Sequence, residues 1–195
     1  MKILKYILII FLIIQCDSDN GFTPSDKEVE ELVLEGWEKF GYRGYANALE
    51  KFLEAIDKDD SYAEAYNGAG WASARLTNLS DAVNYFNQCI ALSSTNADAR
   101  AGLAFTYNAQ KDYQSAIDQA NSALGVNAVW IFSQDKTLSH RDLRVVLAES
   151  YFALGNLTAS LNQVLILNPS FSADINTFDG KSSLSEEIER LRGIV

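Results

Sequence analysis

Residues 63–96 read AEAYNGAGWASARLTNLSDAVNYFNQCIALSSTN, and they decide the fold because the chain repeats their pattern on either side. Shifting the sequence against itself by the interval from Ala48 to Ala82 superposes Ala48, Ala82 and Ala116; Gly36, Gly70 and Ala104; Ala55, Cys89 and Ala123; and Ile56, Ile90 and Leu124. Small residues fall on small ones and branched aliphatics on branched aliphatics, as a stack of identical packing units requires. The interval is about 34 residues, the length of a helix–turn–helix solenoid unit. Within each unit a first helix A runs into a turn rich in Gly, Asn or Asp. A second helix B then carries apolar residues at helical spacing, as in Ala48, Leu49, Phe52, Ala55 and Ile56. The sequence therefore predicts an all-α protein.

The series resembles the tetratricopeptide repeat (TPR), in which a small residue in mid helix A and two more in helix B let the backbones approach closely. Residues 29–62, 63–96 and 97–130 carry the pattern without a gap. The segment Asp60-Ser61-Tyr62-Ala63-Glu64-Ala65-Tyr66 is similar to the junction between such repeats, with Asp60 and Ser94 where the family usually has proline. A fourth, degenerate unit covers about 141–169, carried by Leu147, Ala148, Tyr151, Gly155 and Asn168-Pro169, with a shortened helix B. The resemblance implies a right-handed α-α superhelix over 26–195 whose concave face takes up a protein or peptide partner. Solenoid ends need polar caps. At the first unit Glu35 and Lys39 stand where inner repeats carry apolar residues. At the last, Leu184, Ile188, Leu191 and Val195 form an apolar stripe behind the capping-box pair Ser183 and Glu186, which predicts a covering helix over about 184–193. Between the third and fourth units lies an insertion, Val126 to Ser139, with the apolar run Ala128-Val129-Trp130-Ile131-Phe132. Ser139 and Asp142 mark the next helix start.

Ahead of the repeats, Lys2 and Lys5 precede the apolar run Tyr6–Ile14, which is too short to span a bilayer and matches an export signal over residues 1–15. Ile13-Ile14-Gln15-Cys16 resembles the lipobox of bacterial lipoproteins, with Gln15 where a small residue is usual. That likeness implies lipidation at Cys16 and attachment to a membrane of the cell envelope, inner or outer left open, and the small, polar residues 17–24 read as a tether, 16–25 with the cysteine included. Ser25 and Glu28 have capping-box spacing and place the first helix start near Asp26. The chain carries a net charge of −10, or −12 once Lys2 and Lys5 are removed with the leader. It has no basic stripe of the kind a phosphate backbone requires, so nucleic acid is not an expected partner.

Chemistry is sparse. Catalysis and metal binding need several convergent donors, and the sequence offers one histidine, His140, and one cysteine beyond Cys16, Cys89. Cys89 sits at a small-residue position of helix B, and His140 beside a predicted helix start. Asp57-Lys58-Asp59-Asp60 lacks the glycine and distal glutamate of a calcium loop. Asn78-Leu79-Ser80 and Asn156-Leu157-Thr158 are sequons at A–B turns, where Asn serves the turn. No catalytic residue, metal site or cofactor is expected.

A second series with the same period, Trp37, Trp71 and Phe105, follows the small position of helix A directly. In the resembled family that position faces the concave groove. Val33 and Phe40 extend the Trp37 stripe, Asn67, Arg75 and Asn108 add polar groups, and Trp130 and Phe132 are near enough in sequence to form a rim. These residues are the candidate partner-binding surface. The competing reading is that the rings pack against one another or under the insertion, whose apolar run must itself be buried. The basic clamp with which some relatives hold a terminal carboxylate is not matched, because Val33, Asn67 and Ala101 take those positions. The expected function is a membrane-anchored interaction scaffold of the bacterial envelope. Its rivals are a self-assembling structural protein and a non-catalytic accessory subunit of an envelope enzyme complex.

Overall fold

The computed structural model describes residues 24–193, so the expected export signal over 1–15, Cys16 and Val195 lie outside the described residues. Within them there are nine α-helices and no strand: α1 (Pro24–Gly41), α2 (Tyr45–Lys58), α3 (Ala63–Arg75), α4 (Leu79–Leu92), α5 (Ala97–Ala109), α6 (Tyr113–Val126), α7 (His140–Ala153), α8 (Leu157–Leu167) and α9 (Phe178–Arg192). Helices α1 to α8 form four antiparallel hairpins stacked in order, and α9 closes the far end against α7 and α8. The first helices of successive hairpins touch one another (α1–α3, α3–α5, α5–α7), whereas the second helices do not. The stack therefore curves, with α1, α3, α5 and α7 on its inner side. The predicted all-α solenoid is what the chain forms.

Glycine sets the tightness of the stack. Phe52 of α2 is fully buried between α1 and α3, where a Cβ on Gly36 or Gly68 would lie 2.6 or 2.3 Å from its ring. Phe86 of α4 repeats this between Gly70 of α3 and Gly102 of α5, at 2.6 and 2.2 Å. At the next junction the ring position is Ala120, and alanine stands at position 104, so a smaller knob meets a shallower hole.

Each A–B turn uses one residue in the left-handed region: Arg43, Thr77, Lys111 and Gly155, with φ of 61, 63, 62 and 77°. Around Thr77 the Asn78 amide donates to the Ser73 carbonyl at 2.9 Å and the Thr77 amide to Ala74 at 3.0 Å, and the other three turns repeat both bonds. The first three turns recur at the repeat interval, and the fourth arrives late by the net length of the insertion.

Two boundaries differ from expectation. Helix α1 begins at Pro24, ahead of Asp26. Helix α9 begins at Phe178 rather than near 184, because Thr177 accepts a hydrogen bond from the Gly180 amide at 3.0 Å and nucleates the helix earlier. Ser183 is then inside the helix, its hydroxyl donating to the Asp179 carbonyl. The stripe is as expected over the described residues: Leu184, Ile188 and Leu191 are buried against Val145, Ala148 and Val164.

Candidate interaction groove

The insertion builds the site. After α6, Asn127 turns the chain by accepting from the Val129 amide at 3.1 Å through its side chain, and from the Trp130 amide through its carbonyl. Residues 130–132 then run extended and pair with the returning segment. Phe132 N–H donates to Leu138 and His140 N–H to Trp130, forming a bridge between Ile131 and Ser139. Asp135 closes the tip by accepting from the Thr137 hydroxyl and amide, bonds that hold its carboxyl below the usual carboxylate range. Ser139 and Asp142 form the expected capping box and start α7.

An extended chain sends alternate side chains to opposite faces. Val129 and Ile131 are exposed, while Trp130 and Phe132 are buried at 1% and 0% exposure. Phe132 lies on the indole of Trp71, ring centres 4.1 Å apart and 22° from parallel, and meets Trp37 and Phe40 edge-on at 6.0 and 6.3 Å. Trp130 packs beside Phe105, 6.3 Å away.

Two carboxylates, at equivalent positions of α3 and α5 one repeat apart, organise the polar contacts. Glu64 accepts from the Trp37 indole at 3.0 Å and from the Asn67 amide at 3.2 Å. Asp98 accepts from the Trp130 indole at 2.5 Å and from the Ser133 hydroxyl at 3.4 Å. Burial pushes both carboxyls above their ordinary range against the opposing pull of these donors, and Asp98 adds to the rise at Glu64. Arg75 reaches Asp135 at 3.2 Å and ties the tip of the insertion to α3.

Of the two readings the sequence left open, an accessible aromatic ladder or rings packed under the insertion, the structure has the second, and the candidate groove residues are corrected accordingly. Val33, Trp37, Phe40, Asn67 and Trp71 are all buried, and Trp130 and Phe132 fill the groove over them instead of forming its rim. The cause is the apolar run of the insertion, which finds its nearest apolar surface on α1 and α3. Only the last ring of the series, Phe105, is left partly exposed, with Asn108 beside it and Arg75 at the rim.

Two hollows remain on either side of Phe105. One, of about 260 Å³, is walled by Trp71, Leu79, Thr106 and Leu138, with Arg75 at its edge. The other, of about 210 Å³, lies between α5 and α7 and is lined by Phe105, Asn108, Val145 and Val146, with Asp142, Glu149 and Arg192 around it. Asn108 donates to the Ser150 hydroxyl at 3.2 Å, which fixes the amide on the floor between the helices. Arg192 of α9 is ion-paired with Glu149 and with Glu189.

Sequence reasoning missed Glu64 and Asp98, although both fall at one repeat position, and it missed Val145, Val146 and Glu149 because the insertion breaks the register ahead of α7. Cys89 is wholly buried, and burial pushes its thiol up to about 12, which leaves it protonated and inert. Asp59 accepts from the Ser61 amide and hydroxyl, so the acidic run at 57–60 is the end of α2 and the closed turn that follows it. Asn78 and Asn156 stand directly before α4 and α8, as turn residues should. Among the described residues no group of three or more His, Cys, Asp or Glu is placed to hold a metal ion, and no helix is long and apolar enough to cross a membrane.

No family model matches the sequence, and no curated protein is detectably similar to it. Its fold has many solved counterparts. The crystal structure of MamA aligns with a TM-score of 0.61 at 17% identity, covering 85% of this chain and 82% of that one. PilW, a widely conserved type IV pilus biogenesis factor, aligns with a TM-score of 0.62 at 19% identity, covering 84% of this chain and 67% of its own. A tetratricopeptide repeat protein from Parabacteroides merdae aligns with a TM-score of 0.61 at 16% identity, over 86% of this chain and 61% of that one. At these identities the likeness is one of architecture, and the chain has the fold of a TPR solenoid.

Proposed function

We propose that this protein is a membrane-tethered, non-catalytic scaffold of the bacterial cell envelope that holds a protein partner on the inner face of its solenoid. The observation that carries the reading is the curved stack of hairpins whose inner face keeps an open, apolar-floored stretch at Phe105, Val145 and Val146. A fold alone is weak evidence for function, so the leader matters as much. Its Met1–Cys16 pattern supports export and lipidation, and two or more acyl chains hold a protein stably at about 0.8 kcal/mol per buried methylene.

The test is expression with the leader intact, followed by mass spectrometry of the mature N-terminus and co-purification from detergent-solubilised envelopes. Acylation at Cys16, loss of residues 1–15, and a stoichiometric partner are expected. An unmodified mature N-terminus at another residue removes the anchor. A chain that only associates with itself, seen by light scattering at several concentrations, replaces the scaffold with a self-assembling structural protein.

A further inference from the structure

We infer that the cleft between α5 and α7 docks a segment of a protein partner that seats an apolar side chain on Phe105, Val145 and Val146 and sets a lysine or arginine beside Asp142 and Glu149. The inference rests on the scaffold reading above and adds the place and the chemistry of the contact.

Three observations lead to it. First, the insertion divides the inner face. Trp130 and Phe132 close the part over α1 and α3 with the protein's own aromatic rings, and Ser139 returns the chain to the base of α7. A partner is left with the part beyond Phe105. Second, that part is concave and apolar at its floor. The cleft of about 210 Å³ has room for one large side chain, and Phe105 separates it from the hollow of about 260 Å³ on the Trp71 side, so two apolar seats flank one ring. Third, the charges around the cleft are unbalanced. Its lining carries Asp142, Glu149 and Arg192, and the guanidinium of Arg192 is already paired with Glu149 and Glu189. The lining thus sets two carboxylates, Asp142 and Glu149, against one guanidinium that Glu149 and Glu189 already hold, with Asp142 also accepting from the Ser139 amide and hydroxyl, within a chain of net charge −10. An acidic rim in an acidic field draws a basic segment and repels an acidic one, which sets both the encounter rate and the choice of partner.

The experiment uses the full chain reconstituted in lipid nanodiscs, with methyl-labelled valine, titrated with two synthetic peptides that share a Leu-Phe centre. One is flanked by two lysines on each side and the other by two glutamates. The basic peptide is expected to shift the methyl resonances of Val145 and Val146 and to bind at least about tenfold more tightly than the acidic one. Its affinity should fall as salt rises from about 50 to 300 mM, and Glu149→Gln should weaken it by about threefold or more. Equal binding of the two peptides, shifts confined to other surfaces, or silent Val145 and Val146 methyls at millimolar peptide would overturn the inference. Shifts that depend on protein concentration without peptide would assign the cleft to a second copy, also against it. A partner captured from envelopes while these methyls stay silent leaves the scaffold standing and removes only this cleft.

Discussion

Replacing Trp71 or Phe132 separates a packed groove from an accessible one. Phe132 has no exposed surface, Trp71 has 3%, and their rings stack with centres 4.1 Å apart. Truncating a fully buried aromatic to alanine costs about 3–5 kcal/mol, because transfer free energy is lost and a cavity is left. Trp71→Ala and Phe132→Ala are each expected to lose that much, a large share of a domain's usual stability of about 5–15 kcal/mol. Phe132→Leu keeps most of the volume and should lose about 1 kcal/mol through the missing ring pair. Because the rings touch, the two alanine changes should not add. The double variant is expected to fall short of the sum by about 1 kcal/mol or more, since removing either ring already opens the shared site. Urea unfolding followed by far-ultraviolet circular dichroism gives all four free energies, with an unchanged slope confirming a common unfolded state. A Trp71→Ala protein within about 1 kcal/mol of the parent would refute the reasoning, as would strict additivity.

Two further predictions concern charge and backbone. Glu64 and Asp98 have carboxyls raised by burial, so the stability they contribute is fully present below the ordinary carboxylate range and is lost as pH rises through their folded values. Glu64→Gln should accordingly gain on the parent as pH rises from about 4 to about 8 in urea unfolding, and an identical difference at both ends would remove the buried acid from the account. Thr77 is exposed and β-branched yet sits at φ 63°, so Thr77→Gly should raise stability by about 0.5–1 kcal/mol in the same assay. A loss of stability would show that its side chain makes a contact the turn geometry does not reveal.

The helical hairpins were legible because packing imposes a period. Gly36, Gly70, Phe52 and Phe86 are where they are because two backbones must close on one ring, a need that recurs at the first two junctions. The capping box at Ser139 was legible because its determinants are local. The start of α9 was not, since Thr177 and Ser183 both offer hydroxyl caps and the one that is used, Thr177, lies ahead of the apolar stripe that marked the helix. The state of the groove was legible only as an alternative. Trp37 and Trp71 have the same spacing whether solvent or Phe132 lies over them, and the deciding contacts run between α1, α3 and an insertion far along the chain from both. The acceptors Glu64 and Asp98 left no sign beyond their shared period, because an acid beside an indole looks in sequence like any solvated charge.

The central claim is that the insertion lies in the groove over α1 and α3, and nuclear Overhauser contacts between its rings and those of the A helices test it most directly. The account predicts contacts from the Phe132 ring to the indoles of both Trp71 and Trp37, together with slow solvent exchange of the Trp37 and Trp130 indole protons that Glu64 and Asp98 hold. Fast exchange at both indoles, with a Phe132 ring in contact with neither tryptophan, would contradict it and return the groove to solvent.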